Sequence, residues 1–219
     1  DNITKGLNLI FKKNKKAIIL EDDIIVSDSF LNYMNVSLIN YENDNKVGSI
    51  CSNLSKENEN LPLTFFLYHQ DCWGWATWRR AWKLYSHNSK KLKYLIQKTN
   101  SVKKFNLDNS YDFLDMLEKN LKFKKSWAVN WYASLFINKR LNLYCSTPQS
   151  KNIGLDNEST NTKYKIKTLE IINKTKEKYK KIEIKECLSG YLAIVNFYKK
   201  NFNYNNYIKH KFAEKFKKF

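Results

Sequence analysis

The run Lys16-Ala17-Ile18-Ile19-Leu20 leads straight into Glu21-Asp22-Asp23. A short apolar stretch bounded by charge reads as a buried strand. Three adjacent carboxylates repel one another, and a strand end does nothing to reconcile them. A hard divalent cation does, because Mg²⁺ or Mn²⁺ takes one or two carboxylates and completes its shell with water and ligand phosphates. In open α/β sheets ligands collect at the carboxyl ends of strands, where this triplet would lie. The plainer alternative is a solvated acidic loop. Against it, the chain has 39 Lys and Arg for 21 Asp and Glu, a formal net charge of +18, so three acids in a row are conspicuous.

The rest of the chain bounds the fold around that strand. Its 219 residues suffice for one good-sized domain, alone or with an appendage. A hydrophobic content of 42% and an aromatic content of 15% supply a core and exclude general disorder. Neither GxGxxG nor GxxxxGK[ST] occurs, so a dinucleotide fold or a P-loop lacks its main support. Cys51, Cys72, Cys145 and Cys187 are scattered with no C-x-x-C pair, and read as reduced structural thiols of a cytoplasmic protein. No apolar run reaches the roughly 18 residues a membrane span needs. The chain opens on Asp1 rather than Met, and its first residues read as the middle of a helix, so further sequence is expected to precede them.

Periodicity sketches an α/β order: the end of an amphipathic helix over 6–13, a strand over 17–20, then a helix carrying Phe30, Met34, Leu38 and Ile39, capped by Ser27 or Asp28. Strands follow over 47–51 and 64–68, helices over 111–121 and 129–139, a short strand over 141–144 and a loop over 150–154. All six tryptophans fall between Trp73 and Trp131. Trp78 and Trp82, four apart, read as one helix face packed in the core, with Trp73 and Trp75 at the entry to that helix. Their indole faces suit the apolar faces of sugar rings, and Arg79 and Arg80 suit a diphosphate. From about residue 163 the composition changes: 163–219 holds 16 Lys and 5 Glu, with helical spacing at Ile166, Leu169 and Ile172 and at Leu192 and Val195. The expected division is a domain over 1–162 and a basic helical appendage over 163–219.

Four segments, in order, carry a resemblance: Ile19-Leu20-Glu21-Asp22-Asp23, Gly74-Trp75-Ala76-Thr77-Trp78-Arg79-Arg80-Ala81-Trp82, Trp127-Ala128-Val129-Asn130-Trp131 and Ser150-Lys151-Asn152-Ile153-Gly154. The triplet resembles the Asp-x-Asp-type motif of metal-dependent GT-A glycosyltransferases. Its Glu-Asp-Asp form is similar to that of the N-acetylglucosaminyltransferase that begins complex N-glycan branching. Together the segments resemble a group of bacterial GT-A-like transferases. The resemblance implies a mixed sheet flanked by helices that moves a sugar from a nucleotide-diphosphate donor, a UDP-sugar first, to a glycan or glycolipid acceptor in surface polysaccharide or lipopolysaccharide synthesis. It implies Mn²⁺ or Mg²⁺ on Asp23, with Glu21 and Asp22 near the ribose or the metal waters and Arg79 on the diphosphate. Trp73, Trp75 and Asn130 would face the acceptor, and Asn152 and Asn161 the phosphates. In GT-A folds several dozen residues of nucleoside pocket precede the acid motif. Here about sixteen residues precede the first strand, which keeps open a non-catalytic relative or a fragment with an incomplete donor pocket.

Two positions depart from that pattern. An inverting transferase needs a carboxylate to take the acceptor's proton, and relatives often carry an acid between the two tryptophans where this chain has Ala128-Val129-Asn130. Asp112 and Asp115, at (i, i+3) on a helix, are the substitute candidates, the alternative being a solvated helix face. Relatives also often have Thr-His-Thr where this chain has Thr160-Asn161-Thr162. His69 and His87 read as structural or exposed. Nucleic acid is not an expected partner, since the positive charge concentrates in the tail and no stacking motif of RNA-binding sheets is visible. The tail admits two readings, a peripheral layer on an anionic membrane or a soluble charged cap. Sedimentation with neutral and anionic liposomes separates them, and indifference to lipid charge ends the first.

Overall fold

The computed structural model describes residues 2–54, 60–123, 126–154 and 178–202. In chain order the elements are α1 (Asn2–Lys13), β1 (Lys16–Ile19), β2 (Ile24–Val26), α2 (Phe30–Asn40), β3 (Val47–Cys51), β4 (Thr64–Leu67) and β5 (Trp75–Trp78). After these come α3 (Arg79–Trp82), α4 (Ser89–Lys98), α5 (Val102–Phe105), α6 (Phe113–Phe123), α7 (Trp127–Ile137), β6 (Leu141–Cys145), β7 (Ser150–Asn152) and α8 (Leu188–Asn201). The expected mixed sheet with flanking helices is present: five strands in the order β1-β5-β3-β6-β4, beside a two-stranded ribbon of β2 and β7.

Strands β1, β3 and β6 point one way, because β3 pairs parallel with β6 and β5 lies antiparallel to both β1 and β3. β4 pairs antiparallel with β6. Side chains alternate between the faces with the strand period of two. On one face Ile50, Phe66, Ala76, Trp78, Leu141 and Leu143 pack under α2. On the other, Cys51, Phe65, Leu67 and Tyr144 meet α4 to α8, and Ile19 and Trp75 meet α1 and α7. Both faces of the central strands are covered, so β3 to β6 consist wholly of buried residues.

The segment over 75–82 departs from expectation. Trp75 to Trp78 form a strand, and only residues 79–82 make one helical turn. The alternation Trp75 and Thr77 against Ala76 and Trp78 is a period-two pattern with large aromatic residues that suit a pleated, doubly buried position. Trp78 packs in the core as expected and donates Nε1 to Leu38 O at 3.1 Å. The loop expected over 150–154 begins as β7, whose partner strand β2 was not anticipated because only three residues pair and two of those on β2 are exposed. The start of α2 differs as well. Position Ser29 is the N-cap, but its side chain accepts no helix N–H; the Ser27 and Ser29 hydroxyls donate to Gln149 Oε1 at 2.7 and 2.6 Å. Helices α4 and α5 lie in a stretch that the periodicity reading left unassigned.

The described part of the tail, 178–202, packs into the domain. Ile194 and Val195 enter the main cluster, Tyr179 enters the cluster under α2, and Glu186 bridges Phe66 at the edge of β4. The expected helical spacing at Leu192 and Val195 lies in α8, whereas Ile166, Leu169 and Ile172 fall outside the described residues. No helix among the described residues is long and apolar enough to cross a membrane.

Gly190 is the contact that seats α8. A Cβ there would lie 2.5 Å from ring carbons of Phe65, itself 2% exposed and stacked on Tyr144. Gly190→Ala should therefore destabilise the whole fold by about 1–3 kcal/mol through overpacking. Gly6→Ala, on the exposed side of α1 with nothing within 4 Å, should stabilise it by about 0.5–1 kcal/mol. Urea denaturation of both variants checks the pair of signs.

Candidate functional site

The carboxyl ends of β1 and β3 meet the start of β5 and the β2–β7 ribbon along one rim. Register places Ile19 and Cys51 on either side of Trp75, so the residues after β1 and β3 sit beside those before β5. Gly74, at φ +80°, makes the close approach possible. Its carbonyl lies 2.5 Å from Ser52 Oγ and accepts Ser52 N at 3.0 Å. Ser52 Oγ also lies 2.5 Å from Ser150 Oγ, and Ser150 Oγ donates to Trp73 O. Gln149 N donates to Ser52 O at 2.8 Å. Three chain segments are thus tied to one another through backbone and hydroxyl groups.

The acid triplet forms the turn from β1 to β2, closed by Ile24 N donating to Glu21 O at 3.2 Å. Asp22 is exposed at the tip, and Glu21 and Asp23 are half-buried on either side. Burial pushes the Glu21 carboxyl up, and the neighbouring Asp23 and Asp22 push it further. Asp23 is held from the ribbon: Asn152 Nδ2 donates to its Oδ2 at 3.0 Å and Ile153 N to its backbone O at 2.9 Å. Gly154 passes so close that a Cβ there would lie 2.8 Å from Asp23 Oδ2. Asp23 Oδ1 is buried and has no hydrogen-bond partner among the described residues. A buried carboxylate oxygen without a donor is costly, and so is a crowded half-buried carboxyl such as Glu21. A cation relieves both. Among the described residues no three His, Cys, Asp or Glu side chains form a ready cage. The donor set therefore fits an ion that takes few protein ligands and draws the rest of its shell from water and phosphate.

The periodicity reading passed over one further carboxylate. Asp71 accepts Trp73 N at 2.8 Å, and burial pushes its carboxyl up to about 6 against the hydrogen bond from Trp73 that pulls it down. Burial raises the Cys72 thiol, and the nearby charges of Asp71 and Glu21 raise it further, which ties this loop to the triplet. The legible signal was Asp71 two residues before Trp73, a spacing at which an aspartate oxygen caps the backbone of a tight turn. His69 is structural, as expected. It lies 2.9 Å from Tyr144 Oη among Phe113, Tyr132 and Tyr198, and burial lowers it to about 3, so it is neutral at ordinary pH.

The other expected site residues divide. Glu21, Asp22, Asp23, Trp73 and Asn152 share the rim, with the Trp73 ring half-buried there. Trp75 does not face an acceptor: it has no exposed surface and packs against Trp82, Trp127 and Trp131, because it belongs to a central strand rather than a loop. Arg79 lies at the opposite end of the sheet, where its N–H donates to Lys15 O and its guanidinium to Phe11 O, so it is not aimed at a phosphate beside the triplet. Arg80 is likewise structural, donating to Glu42, Val47 and Tyr41 carbonyls. Asn130 is 3% exposed, its oxygen accepting Ser89 Oγ and Asn120 Nδ2 and its amide donating to Ser86 O. Asp112 accepts Asp115 N and Asn106 Nδ2 at the start of α6, and Asp115 pairs with Lys119. Both are engaged in helix-start and helix-surface contacts, on a helix that packs chiefly against α4, α5 and α7. Asn161 falls outside the described residues.

No family model and no curated protein matches the chain.

Two substitutions read the rim directly. Gly74→Ala combines a positive φ with a Cβ that would lie 2.6 Å from Ser52 Oγ, and should cost about 2 kcal/mol or more in a thermal or urea melt. Asp71 holds its proton to about 6 when folded and to the ordinary 3.8 when unfolded. The contribution of Asp71 to stability is therefore fully present below 3.8 and is lost as pH rises to about 6. Asp71→Asn, whose amide oxygen can still accept Trp73 N, removes that loss. Its advantage over the parent should grow from near zero in acid to about 2 kcal/mol at neutral pH.

Proposed function

We propose that the protein is a metal-dependent glycosyltransferase of GT-A type, moving a sugar from a nucleotide-diphosphate donor to a glycan or glycolipid acceptor. One observation carries this reading. The four segments that resemble GT-A-like transferases, up to 135 positions apart in sequence (residues 19–154), are mutual neighbours in the fold. Ile19 pairs with Trp75, Trp75 stacks on Trp127 at 5.5 Å, Gly74 packs on Ser150, and Asp23 is gripped by Asn152. Asn152 and Gly154 adjoin the acid turn itself and Gly74 lies on the same rim, while Trp127 and Trp131 pack behind that rim on Trp75.

Asp23, with its unpartnered Oδ1, would hold Mn²⁺ or Mg²⁺, and Glu21 would lie close enough to feel the ion's charge. When bound, the ion neutralises the diphosphate as it departs. The chain's own residues do the remainder. Asn152 orients Asp23, Gly154 leaves room beside it, and the half-buried Trp73 ring offers an apolar surface for a sugar at the rim. UDP is the first nucleotide to test. Seating on an anionic membrane would suit a glycolipid acceptor, although most of the Lys-rich region, 163–177 and 203–219, lies outside the described residues.

A second reading, a non-catalytic relative, is favoured by the segment over 127–131. It carries no carboxylate, and the Asn130 side chain is consumed by internal hydrogen bonds. Calorimetric titration separates the two. UDP should bind in the presence of Mn²⁺, bind at least about tenfold more weakly without it, and weaken by a similar factor, ~1.4 kcal/mol, in Asp23→Asn. UDP binding indifferent to both Mn²⁺ and Asp23 would defeat the metal-dependent reading. Mn²⁺-dependent binding with no hydrolysis or transfer of any offered UDP-sugar would favour the second.

A further inference from the structure

A cleft of about 650 Å³ opens among α1, α4, α6 and α7, and a hollow of about 390 Å³ adjoins it through the shared residues Asn8, Tyr85 and His87. The volume suits a ligand of disaccharide size. Its charged lining has one sign. Lys5 and Lys90 border the larger part and Lys12, Arg79 and Lys83 the smaller, and among the described residues no carboxylate lines either.

Two amides at its edge are turned the same way. Asn8 Oδ1 accepts Trp82 Nε1 at 2.8 Å, which leaves the Asn8 amide N–H groups for a ligand. Asn88 Oδ1 accepts Lys91 N at 2.9 Å, with the same consequence. The oxygens of Asn120 and Asn130, deeper in the wall, are already taken by Ser126 N, Ser89 Oγ and Asn120 Nδ2. The cleft therefore sets ammonium and amide donors beside the hydroxyls of Thr4, Tyr85, Ser89 and Ser126. The donors match phosphate and carboxylate oxygens, which only accept, and the hydroxyls match those of a sugar, which donate and accept. The starts of α4 and α7 add partial positive charge to a lining that already carries it.

Two rings provide the apolar surface. Tyr85 is stacked on Trp82 at 4.5 Å and 12°, and Trp127 on Trp75 at 5.5 Å and 23°; both are only half-buried and line the cleft. Each is fixed by the ring behind it, so little side-chain freedom is lost when a sugar ring packs against it.

We propose that this cleft binds an anionic saccharide, a pyranose bearing a phosphate or a carboxylate. Binding there does not depend on whether the strand-end rim transfers sugar. The test titrates glucose 6-phosphate and glucuronate, with glucose and inorganic phosphate beside them, into the full chain while tryptophan fluorescence is followed. The same titrations are run on Lys5→Glu/Lys90→Glu and on Asn8→Asp, which keeps the acceptor for Trp82 while placing a carboxylate in the cleft. Thermal melts establish that each variant is folded. At least one anionic sugar should saturate, more tightly than glucose or phosphate, and weaken about tenfold or more in both variants. Which of the two binds identifies the anion. Absence of saturation by either, binding indifferent to the substitutions, phosphate binding as tightly as the sugar, or an oligonucleotide outcompeting the sugar through the same lysines would each overturn the proposal.

Discussion

The close approach at Gly74 is the constraint on which the site depends. Strand β5 lies antiparallel between two strands that run the other way, so the chain must arrive at its start beside the ends of β1 and β3. A residue with a Cβ at φ +80° would be strained and would strike Ser52 and Ser150. With glycine, the carbonyls of Trp73 and Gly74 come within reach of both serine hydroxyls, and three segments lock without any charged group. The acid turn is then held between that knot and the ribbon.

Holding carboxylates there works against stability. Glu21 and Asp71 are both pushed up by burial, and Asp23 keeps one buried oxygen without a donor. Such an arrangement persists only because the surrounding packing over-determines it: a doubly covered sheet, a tryptophan cluster behind β5, and α8 pressed on Phe65. The cost falls at the strand ends, where a cation or phosphate could repay it, which is the usual place for strain of this kind in an α/β sheet.

The chain's positive charge is not spread evenly over its hollows. The acid turn lies at one rim, while the cleft between α1 and α4 has lysines, an arginine and amide donors with no acid among the described residues that line it. Two surfaces of opposite electrostatic character share the tryptophan layer of Trp75, Trp127, Trp131 and Trp82, which serves as core for the one and as backing for the other.

Much of the fold was legible in the sequence because its signals are local. The apolar run before Glu21, the buried segments over 47–51 and 64–67, and the apolar spacings of α2 and α6 are each carried by neighbouring residues. The acid triplet is as plain, since like charges in a row need no partner to be noticed. Only the tertiary structure decided which tryptophans are wall and which are core. Trp73 and Trp75 are two residues apart, yet the first is half-buried in the loop before β5 and the second, inside the strand, is buried against Trp127 and Trp131. Arg79 beside Lys15, Asn152 on Asp23, Asp71 at the head of a turn and the pairing of β2 with β7 rest on contacts between residues far apart in sequence or on burial. Neither of those leaves a period along the chain, because each depends on which strand becomes whose neighbour.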